Sequence, residues 1–125
     1  MRIGFIPAIV SSLLKRQVGE KHARDLLLTG RIFGAEEAYR LGLVNEVLAP
    51  EKLMPRAREL AATLMENSPT SIRLTKALLS EYARAQLDQE MQLGQEENAR
   101  IRATADFREG VTAFLEKRKP KWTGK

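Results

Sequence analysis

Apolar residues recur every three or four positions along most of this chain, and single glycines and prolines separate the repeating segments. This spacing places apolar side chains on one face of an α-helix, so it predicts a chain built mainly from amphipathic helices. Near the start we expect short helices over 11–18 and 20–29, joined by a tight corner at Gly19. Gly30 is positioned to end the second helix.

A third short helix is predicted over 35–41, with Gly42 just past its end, and both ends are well marked. Gly34 precedes it as a possible N-cap, in place of the more usual serine or aspartate. Glu36 and Glu37 lie at the positive end of the helix dipole, and Arg40 lies near the negative end. The charges therefore support the same helix boundaries as the glycines do.

Residues 44–48 are the best strand candidate, because Val44 and Val47 are β-branched and the apolar positions partly alternate. A strand needs a partner, and the sequence offers no clear second strand. We therefore expect a mainly α fold with at most one or two short strands. At 125 residues, the chain is long enough for one modest domain and too short for two.

The rest of the sequence predicts longer helices, over 51–66, 69–82 and 87–103. Pro69 is acceptable in the first turn of its helix. The apolar stripe over 87–103 is thin, which suits light packing or contact with another chain. In the helix over 69–82, the predicted inward-facing residues are Ile72, Leu78, Leu79 and Tyr82. In the helix over 87–103, they are Leu87, Met91, Gly94, Asn98 and Ile101.

A last helix is predicted from Asp106 to about residue 119. Asp106 and Glu109 have the spacing of a capping box, with Asp106 as the N-cap and Glu109 reaching back to it. Phe107, Val111 and Phe114 are then expected to be buried. Pro120 ends the helix.

The excess positive charge is confined to one place. The chain carries 21 basic and 16 acidic residues, but its last nine residues hold five basic ones and no acidic one. Nucleic-acid binding usually needs a basic face extended over a folded surface, with aromatic side chains for stacking. A short tail with one tryptophan, Trp122, does not favour that function, and we expect a solvated end or a local anion contact.

Side chains that could carry catalysis are few. The chain has no cysteine and one histidine, His22, so a zinc, redox or other metal site is not predicted. Ser11 and Ser12 have no base near them in sequence, and His22 is expected to face solvent. The carboxylates cluster at helix ends and polar faces, where nothing would raise their pKa values for acid–base work. No apolar run is long enough to span a membrane, so we expect a cytoplasmic protein.

Several short motifs occur together in a fixed order: IGFIPA at 3–8, LLLTGR at 26–31, AEEA at 35–38, GLVNEV at 42–47, NSP at 67–69, DFREG at 106–110 and AFLEKRKP at 113–120. Their order and spacing resemble the second half of the enoyl-CoA hydratase/isomerase (crotonase) family. The resemblance covers essentially the whole chain. It implies the C-terminal helical part of a crotonase (ClpP-like spiral) fold, with residues 1–50 ending the core and residues 51–125 forming a helical region for oligomerisation and coenzyme A cover.

The resemblance also implies an activity, the hydration of a 2-enoyl-CoA thioester in fatty acid metabolism, with isomerase or thioester hydrolase activity as related possibilities. In the family the oxyanion-hole N–H groups and the catalytic glutamates precede the matched region. We therefore expect no catalytic residue in this chain and no activity from it alone. Because many relatives have valine where Met1 stands, a shortened reading frame is expected, and an engineered or degenerate fragment is the alternative.

Four residues match binding positions of the family. Pro7 and Ala8 match the turn beside the acyl group, although the usual glycines after it are replaced. Phe114 and Lys117 match the aromatic and lysine side chains that contact the adenine and phosphate end of coenzyme A, and Phe114 also fits the core stripe of its helix. Coenzyme A is part of the substrate, so no separate cofactor is expected.

The implied partners are an acyl-CoA thioester and further copies of the same chain, as a trimer or a dimer of trimers. A function of another class stays open, in which exposed apolar helix faces and the basic tail make a non-catalytic assembly or RNA-binding module. Salt-dependent RNA binding through Lys117, Arg118, Lys119 and Lys121 would favour that alternative.

Overall fold

The computed structural model describes residues 3–125, which form five α-helices and no β-strand. The expectation about Met1 concerns a residue outside this range. The helices are α1 (Ala8–Thr29), α2 (Ala35–Arg40), α3 (Pro50–Met65), α4 (Pro69–Arg102) and α5 (Ala105–Leu115).

The first helix, α1, is bent at Gly19. There the backbone has φ 75° and ψ 165°, a conformation that glycine adopts without the steric penalty of a β-carbon. The predicted corner is confirmed, although the helix begins at Ala8, earlier than expected. Gly30 ends α1 in the left-handed conformation, and its N–H donates a 3.1 Å hydrogen bond to the carbonyl of Leu26.

The main packing contact joins α1 to the second half of α4. Gly94 is buried there, and a β-carbon added to it would lie 3.3 Å from the backbone carbonyl group of Ala8. The buried hydroxyl of Ser12 lies 3.8 Å from the sulfur of Met91, and Lys15 Nζ lies 3.3 Å from a carboxylate oxygen of Glu90. Since positions advance along α1 as they recede along α4, the two helices run antiparallel.

A second contact places the segment 3–5 on α5. A β-carbon added to Gly110 would lie 2.4 Å from the carbonyl carbon and oxygen of Ile3, so the two backbones meet without side chains between them. Gly4, at φ 67°, approaches the backbone of Asp106 in the same way. The rings of Phe5 and Phe107 pack nearby with centroids 6.2 Å apart. Glycines on both sides are therefore required by the close approach.

The shortest helix, α2, begins at Ala35 as predicted and ends at Arg40, one residue before the predicted end. Gly34 is its N-cap in an extended conformation, and Ala38 is its buried residue. After the helix, the N–H of Gly42 bonds to the carbonyl of Tyr39 and the N–H of Leu43 bonds to the carbonyl of Ala38, with Gly42 at φ 75°. This is the Schellman pattern that commonly ends helices.

Three predictions about helices and strands are wrong. No strand forms at 44–48, because no other segment among residues 3–125 is available as a paired strand. The predicted break between 82 and 87 is absent, since residues 83–86 contain no glycine or proline and favour helix. The last helix ends at Leu115 rather than near residue 119.

Part of the predicted core is also wrong. Leu78, Leu79 and Tyr82 are 51%, 61% and 75% exposed, and no residue of α3 is buried. No other part of the described chain covers the apolar faces of α3 and of the first half of α4. By contrast, the thin stripe of α4 does face inward, with Gly94 buried and Leu87, Met91, Asn98 and Ile101 partly buried.

Candidate functional site

A groove of about 500 Å³ lies along the contact between α1 and α4. Pro7 and Ala8, which the resemblance predicts to form an acyl-pocket turn, line one part of it. Leu27, Leu28 and Leu93 contribute apolar surface. The structure therefore places the predicted turn beside an apolar space, which is the surface an acyl chain requires.

Charged residues lie on one side of this groove. Glu90 lies 3.3 Å from Lys15 and 3.5 Å from Arg16, and its side chain is 19% exposed. Partial burial raises the pKa of Glu90, but the hydrogen bond and charge of Lys15 and the charge of Arg16 outweigh it and leave the pKa below its ordinary value. This carboxylate is consequently ionised and paired.

The other two predicted binding residues lie at the end of α5. Phe114 is 70% exposed, so its expected place in the core is wrong. Lys117 has φ 54°, and among residues 3–125 it is the one non-glycine residue with positive φ. Neither residue lines the groove, so the structure presents two separate places, one with Pro7 and Ala8 and one with Phe114 and Lys117.

The left-handed residue closes α5 with a Schellman pattern. The N–H of Lys117 donates to the carbonyl of Phe114 at 3.2 Å, and the N–H of Arg118 donates to the carbonyl of Ala113 at 2.9 Å. An L-residue in this conformation is held at an energetic penalty of about 1–2 kcal/mol. Such outliers are often retained where a side chain serves a function.

The predicted capping box is wrong, and its two carboxylates have another role. The N-cap of α5 is Thr104, whose hydroxyl accepts a 3.1 Å hydrogen bond from the N–H of Phe107. Asp106 instead accepts hydrogen bonds from the backbone N–H groups of Thr123 and Gly124, and Glu109 forms a two-pronged ion pair with Arg118.

Both carboxylates are stabilised in the ionised form. Hydrogen bonds from Arg118 and from the N–H of Lys121 lower the pKa of Glu109 to about 2. Hydrogen bonds from the N–H groups of Thr123 and Gly124 and from the Thr123 hydroxyl lower the pKa of Asp106. The tail after α5 is therefore folded back on the helix. The spacing of acids on α5 and bases in the tail is the sequence signal that could have suggested this.

The other candidate side chains have structural explanations. The hydroxyls of Ser11 and Ser12 donate to the carbonyls of Ala8 and Ile9 at 2.6 and 2.9 Å, as helical serines commonly do. His22 is exposed, as predicted. Within residues 3–125 no three histidine, cysteine or carboxylate side chains group closely enough to hold a metal ion. None of the helices in this range contains an apolar stretch of the length that a bilayer span requires.

The comparison with known families decides the chain's membership. The family described as enoyl-CoA hydratase/isomerase matches residues 1–125. The chain belongs to the enoyl-CoA hydratase/isomerase family. A Thermus thermophilus protein that carries the name of an enoyl-CoA hydratase is 48% identical over 122 residues, covering 98% of this chain and 48% of the relative. The crotonyl-CoA hydratase of Syntrophomonas wolfei is 38% identical over 112 residues, covering 90% and 43%.

Solved structures of the enoyl-CoA hydratase/isomerase family share the fold. The crystal structure of an enoyl-CoA hydratase from Mycobacterium avium has a TM-score of 0.87 at 34% identity, covering 98% of this chain and 48% of that one. The predicted helical part of the crotonase fold is thereby confirmed. The chain spans about half the length of the curated relatives it matches. The alternative of an RNA-binding module finds no support in these relatives.

Proposed function

We propose that this chain provides the acyl-CoA-holding helical part of a cytoplasmic enoyl-CoA hydratase, which adds water across the double bond of a 2-enoyl-CoA thioester. The observation that carries the proposal is the family match over residues 1–125, joined to the exposure of Phe114 and the left-handed conformation of Lys117. Phe114 offers an aromatic face for adenine, and Lys117 offers a cation for phosphate.

The proposal assigns no proton transfer to the residues described here. A general acid at neutral pH needs a raised pKa, as a carboxyl group in an apolar pocket has. Hydrogen bonds from arginine side chains or backbone N–H groups instead lower the pKa values of five carboxyl groups, those of Glu20, Glu37, Glu46, Asp106 and Glu109. We expect no hydration of crotonyl-CoA by this chain alone.

Assembly into a homo-oligomer is part of the same proposal. The apolar side chains of α3 and the first half of α4 are exposed, including Leu53, Leu64, Leu78 and Leu79 at 51–61%. Uncovered apolar faces of this kind are unusual on a monomer and favour association. Light scattering coupled to size-exclusion chromatography tests this, and a compact, stable monomer would contradict it.

Calorimetric titration with coenzyme A tests the binding proposal. We expect the wild type to bind and Lys117→Ala to bind about ten- to a hundredfold more weakly, because a charge-assisted contact to phosphate contributes about 1.5–3 kcal/mol. Lys52→Ala changes an exposed lysine on α3 and serves as the control, with unchanged affinity expected.

Three outcomes would count against the proposal. If the wild type does not bind coenzyme A, the binding role is wrong. If Lys52→Ala and Lys117→Ala lose the same affinity for coenzyme A, the binding is general charge attraction rather than a specific contact. Turnover of crotonyl-CoA by the chain alone would show that its own residues carry catalysis.

A further inference from the structure

The basic tail after α5 is held by a specific set of contacts on Glu109. Its two carboxylate oxygens lie 2.6 and 2.9 Å from the two terminal nitrogens of Arg118. One of these oxygens also accepts the backbone N–H of Lys121 at 2.7 Å. A single side chain therefore anchors the tail at two points, on either side of Lys119.

Asp106, one helical turn earlier, anchors the following residues. It accepts the N–H of Thr123 at 2.7 Å, the N–H of Gly124 at 3.1 Å and the hydroxyl of Thr123 at 3.1 Å. Its own N–H donates to the carbonyl of Lys125 at 3.0 Å. Residues 118–125 are thus fixed along the first turns of α5.

The cations of this tail differ in whether they are neutralised. Arg118 is paired with Glu109 and with Glu116, at 2.6 Å each. The ammonium groups of Lys117, Lys119 and Lys121 have no carboxylate oxygen within 4.0 Å among the residues the structure describes. All three lysines are exposed. The fixed backbone therefore presents unpaired cations to solvent.

We propose that Glu109 is a positioning residue for coenzyme A binding, because it holds the segment from Lys117 to Lys121 in the conformation in which its free ammonium groups meet the phosphates of the nucleotide end. The inference rests on the proposed function. Its physical basis is that ordering a loop and its side chains on binding lowers affinity, and contacts formed beforehand remove that penalty. Arg118 then acts as the link between the carboxylate and the segment.

Electrostatics and positioning predict opposite effects when the carboxylate is removed. Glu109→Ala makes the region more positive by one charge, which by attraction alone strengthens phosphate binding. If Glu109 positions the lysines, the same change weakens binding instead, since the segment is no longer held. The sign of the change in coenzyme A affinity therefore distinguishes positioning by Glu109 from simple charge attraction.

The test is calorimetric titration of the full chain with coenzyme A and with pantetheine, which lacks the nucleotide and its phosphates. We expect Glu109→Ala to raise the Kd for coenzyme A about five- to tenfold and to leave the Kd for pantetheine unchanged. Glu81→Ala removes an exposed carboxylate from α4 that does not touch the tail, and its Kd values should match the wild type. Circular dichroism confirms that each variant is folded.

Arg118→Lys provides an independent variant, because it keeps the charge but loses the two-pronged geometry. We expect the Kd for coenzyme A to rise about fivefold and the backbone N–H of Lys121 to exchange faster with solvent. If both Glu109→Ala and Arg118→Lys bind coenzyme A as tightly as the wild type does, the positioning role is wrong while the proposed function stands. If the wild type itself does not bind coenzyme A, the proposed function fails first.

Discussion

The ends of α2 and α5 have the same backbone hydrogen-bond pattern but different residues at its centre. Gly42 takes the left-handed conformation after α2 at φ 75°, and Lys117 takes it after α5 at φ 54°. The N–H of Leu43 and the N–H of Arg118 each close the pattern at 2.9 Å. Glycine adopts this conformation freely, whereas an L side chain is strained by about 1–2 kcal/mol.

The surroundings explain how the strained end is maintained. A β-carbon at Gly42 would meet nothing within 4 Å, so the end of α2 is determined by local conformation alone. The end of α5 is supported by Glu109, whose ion pair with Arg118 fixes the residue next to Lys117. Long-range side-chain contacts can therefore impose a turn that the local sequence does not favour.

The largest effect is expected for the contact between α5 and the segment 3–5. Gly110→Ala places a β-carbon 2.4 Å from the backbone of Ile3, where no flexible side chain can move away. We expect a loss of about 3 kcal/mol in the free energy of unfolding, measured by urea denaturation. Gly34→Ala, at the open start of α2, should lose less than about 1 kcal/mol. Equal losses would show that α5 is no more tightly built than α2.

Exchanging residue types at the two helix ends should have opposite effects. Gly42→Ala introduces a β-carbon at positive φ and should reduce the free energy of unfolding by about 1–2 kcal/mol. Lys117→Gly relieves the same strain and should raise it by about 0.5–1 kcal/mol, while weakening coenzyme A binding. Urea denaturation measures both variants. If Lys117→Gly is less stable than the wild type, the contacts of the lysine side chain stabilise the fold by more than the strained backbone destabilises it.

A smaller effect is expected in the pH dependence of stability. The pKa of Glu109 is lowered from 4.5 to about 2, first by the hydrogen bonds from Arg118 and then by the N–H of Lys121. Its stabilisation is complete above about pH 4.5 and is lost as the pH falls toward 2. The urea midpoint of the wild type should therefore fall more steeply across this range than that of Glu109→Gln.

The corresponding variant beside α2 is Glu37→Gln. The pKa of Glu37 is lowered by the hydrogen bond from Arg31, so this variant should also flatten the acid side of the curve. Parallel curves for Glu109→Gln and the wild type would show that the carboxylate does not hold the tail in solution.

The smallest change in stability is expected for Phe114→Ala. Its side chain is 70% exposed, so its removal should alter the free energy of unfolding by no more than about 0.5 kcal/mol. Coenzyme A affinity should nevertheless fall if adenine stacks on the ring. Thermal denaturation measures the effect on stability, and calorimetric titration measures the effect on coenzyme A affinity. A large loss of stability would show that the Phe114 side chain is buried after all.

The sequence predicted the helices well where local signals were strong. Gly30 and Gly34 mark helix boundaries and Gly19 marks a corner within α1, as the structure confirms, and the stripe through Gly94 identifies the face of α4 that contacts α1. These features depend on residues that are close together in the chain. They could therefore be inferred from spacing and composition alone.

The errors arise where distant residues decide the outcome. The spacing of Asp106 and Glu109 fits a capping box, but Thr104 caps the helix and both carboxylates bind the tail instead. The spacing of Leu78, Leu79 and Tyr82 predicts burial, but nothing among residues 3–125 covers them. The predicted positions of Pro7, Ala8, Phe114 and Lys117 as binding residues stay predictions, because geometry alone does not identify the bound molecule.

The left-handed backbone at Lys117 also limits which residue types this position can accept. Glycine or asparagine would suit the dihedral angles but would bring no positive charge. Arginine would supply the charge but keeps the strain. Position 42 faces a conformational requirement alone, whereas under the proposed coenzyme A role position 117 would also need a positive charge, so we expect fewer residue types at position 117 than at position 42.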